Sequence, residues 1–231
     1  RKEDCLDLPD KVYTRRTVEL TKEQEVAYAT LKSSALAIIE GSMVSANTVL
    51  TQILRLQQVC SGFANMDDGT VKQVPTNKMP ELLSAIEETE SKVIIWANFT
   101  HDLLSINKEL SKKYGEKTCA LFYGQTSAEE RQNIVEKFQD PDNPLRFFIG
   151  QPRTGGYGLT LTEAKTVIYY SNGYDLEVRL QSEDRAHRIG QTNKVTYVDI
   201  VTEKTVDEKI LKALRNKINI ASNVLAEDYK Q

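Results

Sequence analysis

The stretch Gln181 to Gln191 reads Q-S-E-D-R-A-H-R-I-G-Q and holds the densest anion-binding chemistry in the chain. On a helix, Gln181, Arg185 and Arg188 fall along one side, and guanidinium groups at that spacing can converge on one polyphosphate. The same letters also suit a surface helix laced by Glu183–His187 and Asp184–Arg188 pairs four residues apart. What faces the arginines decides between the two.

A second candidate is the glycine-rich run Gly150 to Leu159, G-Q-P-R-T-G-G-Y-G-L. Glycine lets backbone N–H groups approach a phosphate or ribose with no Cβ in the way, although a structural turn uses the same pattern. No glycine in the chain is followed by Lys, so the phosphate cradle of a complete P-loop ATPase is missing. In Y-G-Q-T-S-A-E-E-R, Ser127 and Glu130 form a capping box; Thr126, Ser127 and the open amides of that first turn could also hold a nucleic-acid phosphate. Asp207-Glu208 imitates a magnesium-holding pair, but Thr205-x-x-Glu208 is a capping box at a helix start, and the metal reading is rejected. Trp96 reads as core or strand-end packing.

These segments need a scaffold, and the rhythm of the chain supplies one. Short apolar strands are predicted at 92–96, 118–122, 146–149, 166–170 and 195–201, with helical patterns at 101–113, 127–138 and 176–188 between them and a last helix over 206–225. Such alternation predicts an α/β fold, a parallel sheet of about five to six strands with helices on both faces. Ligands of these sheets sit at the carboxyl ends of strands, where segments 96–100, 123–127 and 150–158 fall. Upstream, 21–60 is helical, opened by the capping box Thr21 to Gln24; 66–70 is a turn and 77–88 another helix. The chain therefore divides into a helical N-terminal extension (1–76), the α/β body (77–204) and a C-terminal helix and tail (205–231).

Composition narrows the classes. Thirty basic against thirty-three acidic residues in 231 give a net charge of -3, which excludes a uniformly basic nucleic-acid coat and leaves local patches. Three widely spaced cysteines, Cys5, Cys60 and Cys119, argue against a disulfide framework or a C-x-x-C site, and two histidines against a histidine-rich zinc centre. No metal site, membrane span or signal pattern is predicted, and the expected location is intracellular. The first residue is Arg rather than Met, as in a piece of a longer chain.

Q-S-E-D-R-A-H-R-I-G-Q resembles motif VI of the Swi/Snf family of helicase-like ATPases, within superfamily two. R-T-G-G-Y-G-L-T-L-T-E-A resembles motif V, K-V-I-I-W-A-N-F-T motif IV, and Y-G-Q-T-S-A-E-E-R the segment between them. The opening R-K-E-D-C-L-D-L-P is similar to the family's junction between lobes, and V-T-E-K-T-V-D-E-K-I-L to its tail. The resemblance spans essentially the whole chain.

It implies a RecA-like fold, the second lobe of a two-lobe motor that moves on double-stranded DNA by hydrolysing ATP. The first lobe, with its Walker motifs and the magnesium ion they hold, is absent from this chain. Arg185 and Arg188 match the family's arginine fingers, which reach toward the γ-phosphate held by the first lobe, and Gln181 the residue that orients this site. Gly156 and Gly158 match positions that approach the nucleotide, and Asn98, Thr126, Ser127 and Arg153 fall on or near segments that follow the DNA backbone. Pro152 stands where many members carry Thr, Thr160 where Asn is usual, and Asn98 where Gln is frequent. The phrase Tyr170 to Tyr174, Y-S-N-G-Y, is closer to phage and bacterial members. The expected partners are duplex DNA and the N-terminal lobe of the same protein; the lobe alone is expected to be inactive. A non-catalytic docking module remains the alternative, and a free-standing nucleotide enzyme is disfavoured by the missing P-loop and dinucleotide fingerprints.

Overall fold

A computed structural model describes residues 8–41, 46–66, 68–154 and 158–228. Its body is a six-stranded, fully parallel sheet formed by β1 (Lys11–Val18), β4 (Lys92–Trp96), β5 (Cys119–Phe122), β6 (Phe147–Gly150), β7 (Ala164–Tyr169) and β8 (Val195–Thr202), in the order β1-β8-β7-β4-β6-β5. A separate hairpin pairs β2 (Phe63–Asn65) with β3 (Val71–Gln73). The helices are α1 (Lys22–Gly41), α2 (Ala46–Ser61), α3 (Lys78–Glu87), α4 (Thr100–Tyr114), α5 (Ala128–Gln139), α6 (Leu176–Glu183) and α7 (Val206–Asp228).

The inner strands are near-continuous apolar runs because both of their faces are covered. Alternate residues go to opposite layers. Val93, Ile95, Phe147, Ile149 and Ile168 pack with Leu82 and Ile86 of α3 and Leu103, Ile106 and Leu110 of α4. Ile94, Trp96, Phe148, Val167 and Tyr169 face the other way, onto Ile134 and Phe138 of α5 and Ala186 beyond α6. Trp96 is fully buried, as its place in a central strand predicts. Gly150 ends β6 where a Cβ would stand 2.9 Å from the Phe122 carbonyl oxygen, so the exit of this strand tolerates no side chain.

Two predicted elements differ. The N-terminal extension is not helical throughout, because Lys11–Val18 forms an edge strand parallel to β8. Its outer face carries Lys and Arg, and Val12 and Tyr13 stay exposed, so it offers no apolar run to read; charged edges of this kind discourage further strand pairing. The helix predicted over 176–188 stops at Glu183, with Asp184 as its C-cap.

The capping box at Thr21 forms in both directions: the Gln24 N–H donates to Thr21 Oγ1 (3.2 Å) and the Thr21 N–H to Gln24 Oε1 (3.0 Å). At the start of α7, Thr205 Oγ1 accepts from the Asp207 N–H (3.2 Å), while Glu208 accepts from the Lys204 N–H (2.8 Å) in place of the expected Thr205 amide. Asp207 meets the fully buried Lys78 ammonium at 2.6 Å, which accounts for its charge without a metal. Tyr28, Leu56, Val59, Cys60 and Val206 form a third cluster that fastens α1 and α2 to α7. Burial there pushes the Cys60 thiol up to about 12.

Candidate functional site

Asp175 opens α6 by accepting from the Glu177 and Val178 N–H groups (3.1 and 3.3 Å). Past Glu183 the chain turns: the Ala186 and His187 amides both donate to the Glu183 carbonyl at 3.2 Å, and the Gln191 N–H to the Arg188 carbonyl at 2.9 Å. Arg185 and Arg188 therefore stand on this turn and not on a helix face, a correction to the spacing argument. The turn still brings them together. Arg185 is held below the ordinary guanidinium value, first by burial and then by the positive charge of Arg188, with Asp184 opposing. Gln181 stays on α6, where its Nε2 donates to Glu177 Oε1 at 2.9 Å.

The turn is fastened to the glycine loop. Arg188 Nη1 donates to Thr160 Oγ1 (3.1 Å) and to the Gly158 and Leu159 carbonyls (each 3.4 Å), and the Leu161 N–H donates to the Arg185 carbonyl (2.9 Å). Gln191 Nε2 adds a buried staple, donating to Thr162 O (2.8 Å), Ala186 O (3.1 Å) and Ala164 O (3.2 Å). Gln139, at the end of α5, holds the same loop through Thr162 Oγ1 (3.0 Å) and the Glu163 N–H (3.2 Å). Gly158 has φ +101°, a conformation side chains resist, so glycine is needed there for the backbone path and not for space. Gly156 lies outside the described residues.

Asn98 and Arg153 line a different cleft, a cavity of about 840 Å³ at the carboxyl ends of β4, β6 and β7, with Leu54 and Gln57 of α2 forming one wall. The Asn98 N–H donates to Ser171 Oγ (2.9 Å), its carbonyl accepts from Gln151 Nε2 (3.2 Å), and Gln57 Nε2 donates to Asn172 O (2.8 Å). Arg153 is exposed and lies 3.4 Å from Asp175. Thr126 is buried: its hydroxyl donates to Leu121 O and accepts from the Tyr123 N–H, both at 3.1 Å, so it shapes its own loop. Ser127 caps α5 through the Glu130 N–H (3.2 Å). A groove of about 1280 Å³ runs beside α4 and α5 and includes Ser127 but neither arginine of the turn. Among the described residues no cluster of three His, Cys, Asp or Glu side chains is placed to hold a metal ion.

Sequence reasoning missed Arg179. Its Nε donates to Glu183 Oε1 (2.8 Å), Nη1 to Asn172 Oδ1 and Asp199 Oδ1 (each 2.6 Å), and its guanidinium lies 3.4 Å over the Tyr169 ring. Burial works against its charge, but Tyr169, Asp199 and Glu183 outweigh that and raise its pKa above the ordinary value. The one local sign was Arg179 four residues before Glu183; Asn172 and Asp199 come from other elements.

A parallel sheet with an arginine turn wired to a glycine loop defines a RecA-like helicase lobe, and residues 76–190 match the helicase conserved C-terminal domain family. An uncharacterized ATP-dependent helicase of Mycoplasma pneumoniae is 29% identical over 96% of this chain and 21% of its own length. The human SWI/SNF-related matrix-associated actin-dependent regulator of chromatin subfamily A member 1 is also 29% identical, over 95% of this chain and 22% of its own. The solved Sulfolobus solfataricus SWI2/SNF2 ATPase core in complex with dsDNA superposes with a TM-score of 0.74 at 27% identity, over 96% of this chain and 47% of that one. In sequence, family model and fold the chain is similar to the C-terminal lobe of the Swi/Snf family of helicase-like ATPases. It spans about a fifth of the length of the curated relatives it matches.

Proposed function

We propose that this chain is the second motor lobe of an ATP-dependent translocase on double-stranded DNA, in which Arg185 and Arg188 act as arginine fingers toward a nucleotide held by a first lobe. The observation that supports the reading is the fastening of the arginine turn to the glycine loop, 30 residues apart in sequence at Arg188 and Gly158. Burial first, and the charge of Arg188 second, weaken the hold of Arg185 on its proton, and the two guanidinium groups on this turn form a preorganised positive site. Such a site costs free energy when empty and returns it when negative charge develops between the groups, which is how positioned cations lower a phosphoryl-transfer barrier. The residues fit the anionic end of ATP.

ATP supplies the phosphoryl group whose transfer to water drives the motor, and the magnesium ion belongs to the first lobe. In this reading Arg188, anchored on the loop carbonyls, and Arg185, half-buried beside it, stabilise charge on the transferring group. Gln181 orients this site from α6, and Gly158 brings the loop backbone toward the nucleotide. Asn98, Arg153 and Ser127 contact the DNA backbone, with Thr126 shaping the turn that presents Ser127. That the Sulfolobus relative was solved with dsDNA supports duplex DNA as the track.

The test is Arg188→Ala in the two-lobe protein. Arginine fingers contribute on the order of 10³ to 10⁵ in rate, so ATP binding should persist while DNA-stimulated hydrolysis falls by about 10³ or more. Wild-type turnover in that variant would leave a docking lobe without a catalytic role.

A further inference from the structure

The strand that enters the lobe is clasped to the arginine turn. His187, buried within the turn, has Nε2 2.6 Å from the carbonyl oxygen of Pro9, two residues before β1. Tyr13 Oη donates to Glu183 Oε2 at 2.7 Å, and Lys11 Nζ reaches the same oxygen at 3.3 Å and Asp184 Oδ1 at 3.8 Å. Tyr13 also stacks on Tyr197 of β8, with ring centroids 5.3 Å apart.

Glu183 is the pivot. It is fully buried, its Oε2 holds β1, its Oε1 holds Arg179 (2.8 Å), and its backbone carbonyl receives the Ala186 and His187 amides together with Tyr197 Oη (2.9 Å). One residue thus carries β1 on its side chain and the start of the arginine turn on its main chain. A shift of the entering segment reaches Arg185 within two residues, through part-buried contacts that converge on the fully buried Glu183 and on His187. Packed interiors transmit such displacements because they deform little.

We propose that Glu183, His187 and Tyr13 are positioning residues that register Arg185 and Arg188 against the segment entering the lobe. This rests on the reading of the arginines as fingers. The chain that joins the two lobes would then do more than tether them: its path past Pro9 and Tyr13 sets where the fingers stand. Misplacing a reacting group by about 1 Å costs on the order of 10²-fold, so loosening this clasp should act on turnover and leave ground-state binding of ATP nearly unchanged.

The experiment uses the two-lobe protein with Tyr13→Phe, which removes one hydroxyl, and His187→Ala, with His187→Gln as the conservative variant whose amide can still donate to Pro9. Arg188→Ala serves as the control, and thermal melts check folding. The expected result is a kcat between about tenfold and a hundredfold lower for Tyr13→Phe and His187→Ala, a KM for ATP within about twofold of wild type, and recovery of most of the rate in His187→Gln. Should His187→Ala fail to fold, Tyr13→Phe decides alone. If Arg188→Ala abolishes turnover while folded Tyr13→Phe keeps wild-type kcat, the clasp proposal is overturned and the finger reading stands. If Arg188→Ala itself turns over normally, the finger reading fails first.

Discussion

Arg179 and Arg188 show how differently two arginines nine residues apart are used. Arg188 is anchored by one nitrogen on carbonyl and hydroxyl oxygens of the glycine loop, so its charge has no carboxylate partner among the bonds it makes there. Arg179 is buried among Asp199, Glu183 and Asn172 and acts as a structural hub. Removing one partner of a buried ion pair strands the other charge and costs about 3–5 kcal/mol. Arg179→Met should therefore lower the unfolding free energy by that order in urea titrations of this chain. A loss under about 1 kcal/mol would mean that water replaces the guanidinium freely.

At the level of elements, the short helix α6 and the turn after it act as one unit. Asp175 caps the helix, Glu183 ends it, and Gln191 pins the arginine turn to the loop that leads into β7. Helix α5 is capped by Ser127, whose hydroxyl accepts from the first-turn amide of Glu130. Ser127→Ala should cost about 1 kcal/mol of stability, the usual value of a lost N-cap. If Ser127 also contacts a DNA phosphate, the two-lobe variant should bind duplex DNA a few-fold more weakly with a shallower salt dependence. A stability loss with unchanged DNA affinity would confine the residue to capping.

For the whole molecule, the arginine turn and the Asn98–Arg153 cleft lie on one sheet, and the proposed function assigns the other half of the catalytic centre to a first lobe. The net charge of -3 makes any DNA contact a local one. The isolated chain should show negligible ATP hydrolysis, with or without DNA, and weak duplex binding that falls steeply between low and moderate salt. Coupled-assay turnover and fluorescence anisotropy measure the two, and robust hydrolysis by this chain alone would contradict its dependence on a first lobe. Among the described residues no helix is long and apolar enough to cross a membrane.

The residues themselves determined the central strands, because a strand buried on both faces must be apolar along its length, as Lys92–Trp96 and Phe147–Gly150 are. They also determined the family resemblance and the local caps at Thr21 and Ser127, where both partners lie within one turn. The edge strand Lys11–Val18 was not legible, since its charged outer face hides the burial pattern that marks a strand. Only the tertiary structure decided that the arginines stand on a turn, that Thr126 spends its hydroxyl inside its own loop, and that Glu183 joins Arg179 to Tyr13. Local spacing reports which face of an element is buried; the partner of a polar side chain can lie far off in sequence, as Tyr13 lies 170 residues from Glu183, and only folding brings it into reach.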